Sequence, residues 1–300
     1  MSYYHYTTLN AFSSILQDNP TKGKEICFWA TRYDCFADKT EYLYGINKIR
    51  PILEYFEDQH SFQQDRRISL LFDTEGIVQA LGLPVPYVIS ISARKDNDFM
   101  WCNYADNGDG VVLELDFPKP RGFYENAALY SIESCIYDSS ITIAELHKLI
   151  KDKYFEMAGI MLGGFKELAL GLLRDRPDLF VRLIAMCLLI FVAPRFKKDE
   201  FSNEEETRII VASPTSKYNE FFNNVTYPHQ LKPLIDIIKS FVAKERKRPD
   251  NNKFYREVFM PIQILKRIYV RNVAQKEKVN MILFAKGYTN IPVEILCRTS

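Results

Sequence analysis

The 300-residue chain has little glycine and proline and almost no net charge. Glycine and proline together account for 26 residues, below their usual share of about 12% in globular proteins. This composition argues against a long low-complexity segment. The 39 basic and 38 acidic residues give a formal net charge of +1. Such a balance excludes a global attraction to nucleic acid or to an anionic membrane, so any nucleic-acid contact must be local.

The sequence also lacks an apolar run of membrane length. The most apolar stretch, 183–193, has eleven residues, whereas a membrane-spanning helix needs about 20. The first residues, 1–5, show neither the basic start nor the apolar segment of a secretory signal. We therefore expect a cytoplasmic protein with no membrane association, in which 183–193 belongs to a buried helix.

Motifs for metal, phosphate and nucleophile chemistry are missing as well. The six cysteines form no C-x-x-C pair, and the four histidines lie far apart in sequence. This excludes a sequence-local zinc ribbon or dithiol motif and favours reduced core thiols. The chain has no Walker A loop, no G-x-G-x-x-G, no G-x-S-x-G and no H-E-x-x-H. No metal is expected.

What the chain does contain is a series of short apolar and aromatic segments separated by helical patterns. Aromatic residues make up 14% of the chain. β-Branched and aromatic runs predict strands at 3–7, 26–31, 87–92, 111–117, 129–137, 207–212, 262–270 and 292–297. Helical spacing predicts helices after Thr8 and at 41–57, 65–81, 99–105, 141–195, parts of 217–246 and 279–285. Without a linker or repeat, residues 1–300 are predicted to form one α+β domain with a helical insertion at about 141–195.

The most informative segment for chemistry is 201–211, which contains several charged residues beside an apolar strand. If it is extended, side-chain alternation places Glu204, Glu206 and Arg208 on one face. Two carboxylates and a guanidinium at the end of a strand are unusual in a protein core. The alternative is a solvated strand end in which Arg208 pairs with Glu206.

Three further places are candidates for a site. His5 lies in an aromatic strand, and its alternative role is that of a structural histidine. Tyr33 follows the second strand, in what is otherwise a surface loop whose Asp38 caps the next helix. Trp101 and Tyr104 share a helical face, for which core packing is the alternative.

In their order along the chain, these pieces resemble the bacterial family catalogued as domain of unknown function 2971. The resemblance covers roughly residues 3–212. The stretches that carry it are His5-Tyr6-Thr7, Asp38 and Glu41, Ser90-Ile91-Ser92, Met100-Trp101 with Tyr104-Ala105, Gly110 with Glu114 and Asp116, and Glu204, Glu206 and Arg208. The chain departs from the family where N-D-P is replaced by Ala37-Asp38-Lys39, and where Phe201 stands in place of a tryptophan.

More distantly, the chain is similar to ADP-ribosyltransferases of the H-Y-E type. Their plan maps onto His5, Tyr33 and Glu206, with Glu204 as the upstream glutamate. The resemblance implies a split, mostly antiparallel sheet and NAD as a substrate. It implies that Glu206 and His5 are catalytic together with Tyr33. The residues expected around the NAD are His5, Thr7, Tyr33, Trp101 and Tyr104, with Glu204 and Arg208 positioning the substrate.

The chemistry of that reaction needs no metal. Cleavage of the nicotinamide–ribose bond passes through an oxocarbenium-like state, as in glycoside cleavage. A carboxylate near the ribose stabilises the positive charge, a histidine holds a ribose hydroxyl, and an aromatic ring stacks on nicotinamide.

Three functions follow as hypotheses. The first is NAD-dependent transfer of ADP-ribose to a protein or nucleic acid, as a toxin or phage-defence effector. The second is a non-enzymatic module that binds a nucleotide or a protein. The third is a local nucleic-acid contact through the basic runs 244–248 and 266–267.

Overall fold

A computed structural model describes residues 2–19, 23–38, 40–59, 61–64, 85–118, 121–123, 129–138, 188–213, 245–247, 253–288 and 290–296, with isolated positions at 67, 69, 70, 142, 144, 145, 148 and 185. These residues form a mixed α/β fold with a mostly antiparallel open sheet. The strands are β1 (Ser2–Thr7), β2 (Leu16–Asn19), β3 (Gly23–Arg32), β4 (Val85–Ser92), β5 (Val111–Asp116), β6 (Arg121–Phe123), β7 (Leu129–Ser134), β8 (Ile136–Tyr137), β9 (Phe196–Lys197), β10 (Glu206–Ser213), β11 (Glu245–Lys247), β12 (Phe254–Pro261), β13 (Leu265–Val270) and β14 (Val293–Ile295).

The structure describes four α-helices, and three of them begin at a residue whose side chain caps the helix. They are α1 (Leu9–Ile15), α2 (Glu41–Gln59), α3 (Asp98–Tyr104) and α4 (Val273–Ala285). As predicted, Thr8 caps α1, because its side chain accepts a hydrogen bond from the Ala11 amide. Asn97 caps α3 in the same way, and Asn272 forms a capping box with Gln275 at the start of α4.

The large sheet has the strand order β11-β12-β3-β4-β1-β5-β13-β14. β10 pairs with β4 and with β7, while β2 pairs with β3 and β6 with β7. Neighbours in this sheet are antiparallel except β13 and β14, and a separate parallel pair joins β8 to β9.

The sheet is split where β1 and β3 meet β4. Ser92 pairs with Glu206 and with Tyr4, and Val88 pairs with Ile210 and with Thr31. Since β10 occupies one edge of β4 throughout, β1 and β3 must share the other edge. β1 pairs with β4 at Ser92 and β3 pairs with it at Val88, four residues away. The two strands therefore diverge around residues 89–91 of β4. This split positions the cavity described below.

Two glycines permit close backbone contacts that hold this arrangement together. A Cβ at Gly110 would lie 2.3 Å from the Thr7 carbonyl oxygen, and one at Gly45 would lie 2.0 Å from the Ala193 oxygen. Both distances are far below van der Waals contact. Gly110 therefore lets the turn before β5 reach the end of β1, and Gly45 lets α2 pack onto residues 193–195.

The predicted strands at 3–7, 87–92, 111–117 and 207–212 are confirmed to within two residues at either end. The strand β12 was not predicted. Residues 262–264 form a 3-10 turn before β13 rather than part of a strand, and 245–247 form a strand because they pair with β12. Of the predicted helix 141–195, residues 188–192 form a π-helix and 193–195 a 3-10 turn.

The rest of that helical prediction lies mostly outside the described residues, as does most of 65–81 and of 217–246. The assignment of 1–300 to one domain stays a prediction. Among the residues that the structure describes, none of the helices is both long and apolar enough to cross a membrane.

Candidate functional site

Most of the predicted site residues gather in two separate places. We call the first the split cavity: it is lined by His5, Tyr6, Thr7, Ala11, Ser14, Ile15, Cys27, Phe28, Trp29 and Ile89. We call the second the carboxylate network: it comprises Glu41, Lys197, Glu204, Glu206 and Arg208.

The split cavity has a volume of about 320 Å³ and lies between β1, α1, β3 and β4. Thr7, Phe28 and Ile89 are almost fully buried, whereas Ala11, Ser14 and Trp29 are exposed. Buried residues therefore form the floor, and α1 and Trp29 form the mouth. The volume is at the lower end of the range of about 300–1,000 Å³ that small-molecule sites occupy.

His5 is held in a defined orientation and protonation state at the split. Its Nδ1 lies 2.9 Å from the Ser90 carbonyl oxygen, and its ring packs edge-on against Phe28 at 5.0 Å. A carbonyl oxygen can only accept, so Nδ1 carries the proton and Nε2 is the acceptor of the neutral ring. Burial lowers the pKa of His5, and the bond to Ser90 opposes this shift without cancelling it. The imidazole is therefore neutral at pH 7.

The cavity contains no activated nucleophile among the described residues. Its one thiol belongs to Cys27, whose pKa is raised to about 12 mainly by burial. A thiol with that pKa stays protonated at neutral pH, and the thiolate is the reactive form. Cys27 therefore contributes a small apolar wall.

The carboxylate network is buried and densely hydrogen-bonded. Glu206 Oε2 accepts from Lys197 Nζ at 2.8 Å and from Arg208 Nη2 at 2.9 Å, and Oε1 accepts from Arg208 Nε at 3.1 Å. Lys197 also pairs with Glu204, and Arg208 with Glu41. The side chains of Lys197, Glu204, Glu206 and Arg208 are at most 6% exposed. Each charge thus has a partner of opposite sign, as burial requires.

These pairings determine the protonation states. Burial alone would raise the pKa of Glu206, but Arg208 and Lys197 lower it to about 2. Burial alone would lower the pKa of Lys197, but Glu206 and Glu204 raise it above its usual value. Glu206 is therefore a carboxylate whose oxygens are already occupied by cations.

Three neighbouring groups complete the network. The Tyr104 hydroxyl donates to Glu204 Oε1 at 2.9 Å, and the Glu206 amide donates to the Tyr137 hydroxyl at 3.1 Å. The Cys135 thiol lies 3.6 Å from Glu206 Oε2, and burial raises its pKa far above the usual range. The network thus connects α2, α3, β9 and β10.

The structure brings four predicted residues together here, namely Tyr104, Glu204, Glu206 and Arg208. The backbone conformation that brings them together differs from the predicted one. Glu204 ends a 3-10 turn, and Glu205 adopts a left-handed conformation with φ 43°, so alternation along one extended strand applies only to Glu206 and Arg208. The predicted pair between Arg208 and Glu206 is present, but the alternative of a solvated face is wrong because both side chains are buried.

His5 and Glu206 do not come together. Tyr4, Ser92 and Glu206 are in register across three strands, and residues in register share a face of the sheet. His5 follows Tyr4 in the same strand, so its side chain extends from the opposite face. Among the predicted residues, the cavity receives His5 and Thr7, and the network receives the carboxylates.

Tyr33 and Trp101 lie in neither place. Tyr33 is buried and packs against Tyr42 with ring centroids 4.4 Å apart. Trp101 is 2% exposed; it packs edge-on against Tyr6, and the Arg271 guanidinium lies 4.6 Å from its ring centroid. Trp101 has the core environment that its sequence alternative described, whereas the surface-loop alternative for Tyr33 is wrong because its side chain is buried. Their roles as ligand contacts stay predictions.

Two important residues had a weak signal or none in the sequence. Lys197 is the central cation of the network. In the sequence it is only a lysine that follows Phe196 and the apolar stretch before it. The sequence around Trp29 predicts only a strand, and it is the split in the sheet that makes Trp29 line a cavity. One arginine of each basic run has an acidic partner, since Arg246 pairs with Glu257 and Arg267 with Glu294.

Residues 100–209 match the family model described as "Protein of unknown function (DUF2971)". That stretch contains Trp101, Tyr104 and most of the carboxylate network, and leaves His5 and Trp29 outside. No curated protein and no solved structure gives a significant match to the chain. The predicted resemblance to the DUF2971 family is therefore confirmed over about a third of the chain.

Proposed function

We propose that the protein binds a small molecule containing a nucleobase in the split cavity. The observation that carries the proposal is the His5 imidazole, whose Nδ1 is committed to Ser90 while its Nε2 remains as an acceptor beside a cavity of about 320 Å³. An acceptor of this kind suits a ribose hydroxyl or the amino group of a base.

The composition of the wall supports the same class of ligand. Phe28 and Trp29 supply aromatic surface, and Thr7 supplies a hydroxyl that can donate or accept. The Ser14 hydroxyl donates to the Asn10 carbonyl at 3.3 Å and can still accept. Mostly apolar walls with a few placed polar groups are typical of small-molecule sites. A planar heterocycle with several hydrogen-bonding edges complements such a wall.

Calorimetric titration with nucleobases, nucleosides and nucleotides tests the proposal. We expect at least one of them to bind, and His5→Ala to weaken that binding at least tenfold. Tyr4→Phe is a suitable control, because Tyr4 precedes His5 in β1 and extends from the opposite face. The proposal fails if none of the compounds binds, or if His5→Ala binds as tightly as the unmodified protein.

A second candidate function is the transfer of ADP-ribose from NAD. The location of His5 in a split, mostly antiparallel sheet supports it. The buried position of Glu206 weighs against it, because the carboxylate is held by Lys197 and Arg208 on the other face. Incubation with labelled NAD and a cell extract tests this candidate. Transfer or NAD hydrolysis that Glu206→Gln abolishes would support it, and the absence of both would exclude it.

A further inference from the structure

We infer that the split cavity selects an uncharged nucleoside or free nucleobase over its phosphorylated forms. This inference rests on the proposed function and narrows its ligand class. It comes from the charges around the cavity, which differ sharply from those of the carboxylate network.

The described lining of the cavity carries no charged side chain. Of the described residues that line the cavity, none is an aspartate, glutamate, lysine or arginine. The one titratable group with an ordinary pKa near neutrality is His5, and it is neutral. Moving a phosphate from water into a site without a countercharge is costly, whereas an uncharged ring loses little hydration. The cavity therefore favours the neutral ligand.

The cations of β3, one of the strands around the cavity, are already paired. Lys24 and Arg32 lie at the two ends of β3, the strand that supplies Phe28 and Trp29. Lys24 pairs with Asp18 at 3.0 Å, and Arg32 pairs with Asp34 at 2.7 Å. A phosphate that approached either cation would have to compete with its aspartate.

The cavity is also small. About 320 Å³ is close to the smallest size used by small-molecule sites. A base with its sugar fills such a space, whereas a phosphorylated sugar would have to extend through the mouth between α1 and Trp29.

Calorimetry at pH 7.5 with adenosine, guanosine, cytidine, uridine and their 5′-monophosphates tests the inference. We expect at least one nucleoside to bind, with a Kd at least tenfold lower than that of its monophosphate. A monophosphate that binds as tightly as its nucleoside, or more tightly, would overturn the inference and leave the proposed function standing. If no compound of either set binds, and no free nucleobase binds either, the proposed function fails as well.

A charge added at the mouth provides a second measurement. Ala11 is exposed on α1, so Ala11→Lys places a cation at the mouth without disturbing the core. We expect this change to reduce the nucleoside preference at least threefold, whereas Ala11→Gln, a matched uncharged control, should keep the ratio. An equal ratio in both variants would contradict the electrostatic origin of the selection.

Discussion

The split cavity lies between β1, α1, β3 and β4, and the carboxylate network lies on α2, β9, β10 and the turn before β10. The two use polar side chains in opposite ways. In the network, three carboxylates and two cations are buried together, and each charge is matched within a few ångströms. In the cavity, one neutral imidazole uses one nitrogen for the protein and leaves the other as an acceptor. The difference separates a charged cluster that holds elements together from an uncharged cluster that can receive a ligand.

The carboxylates have a different role from the one that the sequence suggests. In the sequence, Glu206 is a candidate catalytic residue with Glu204 and Arg208 as substrate-positioning residues, because charged residues beside a strand are unusual. In the structure they compensate one another, and Lys197 supplies the missing cation. Replacing one member should therefore reveal a stability role first, and four predictions follow in order of expected size.

The largest effect is expected for Arg208→Met, because Arg208 pairs with both Glu206 and Glu41 and donates to the Pro194 carbonyl. Removing one partner of a buried ion pair typically costs about 3–5 kcal/mol. Urea denaturation measures the loss. The control Arg94→Gln removes an exposed pair with Glu205 and should cost less than about 1 kcal/mol. Equal losses in the two variants would refute the special role of the network.

The second prediction concerns the stability of the fold at low pH. The pKa of Glu206 is about 2 in the folded protein, against an ordinary value of 4.5. A depressed carboxyl pKa stabilises the fold above pH 4.5, and that contribution is lost as the pH falls toward 2 because the unfolded chain binds the proton first. A shift of this size corresponds to about 3 kcal/mol.

Glu206→Gln should flatten the dependence of stability on pH between 4.5 and 2. Thermal unfolding across this range provides the measurement. A variant that keeps the full slope would show that Glu206 is not the group responsible, whatever its effect on stability at pH 7.

The third prediction concerns His5, whose replacement should affect binding more than folding. His5→Ala leaves the Ser90 carbonyl without its hydrogen bond at the split, which costs about 1–3 kcal/mol. Ligand affinity should fall at least tenfold in the same variant. Denaturation and calorimetry on one preparation separate the two effects, and a loss of stability with unchanged affinity would make His5 purely structural.

The smallest effect is expected for Tyr104→Phe. Tyr104 is 43% exposed, and the change removes a single hydrogen bond to Glu204, worth about 0.5–1.5 kcal/mol. The ligand affinity should stay unchanged, since Tyr104 belongs to the network and not to the cavity. A tenfold loss of affinity would show that the ligand binds at the network rather than in the cavity.

The sequence predicted the main sheet strands and helix starts because alternation and capping are local signals. Thr8 and β5 are examples, since each is determined by its immediate neighbours. The pairing of β1 and β3 with one edge of β4 is not local, so the split and its cavity could not be predicted from spacing. For the same reason Lys197 was missed, because its importance depends on Glu204 and Glu206 arriving from a later turn and strand.

The separation of His5 from Glu206 has a similar cause. Their order in the sequence fits the H-Y-E plan, but the face of each side chain depends on the register that joins β1, β4 and β10. Tyr4, rather than His5, is in register with Glu206 through Ser92. A shift of one residue in that register would have placed the two on the same face.

The central claim is that the ligand enters the split cavity, and the two tryptophans of the chain test it most directly. Trp29 lines the cavity, whereas Trp101 is buried beside Tyr6 and Arg271. The measurement is a fluorescence titration of Trp101→Phe and of Trp29→Phe with the nucleoside that calorimetry identifies. The account predicts a saturable change in Trp29 emission with the calorimetric Kd and no change in Trp101 emission. A saturable change in Trp101 emission with Trp29 unaffected would contradict it.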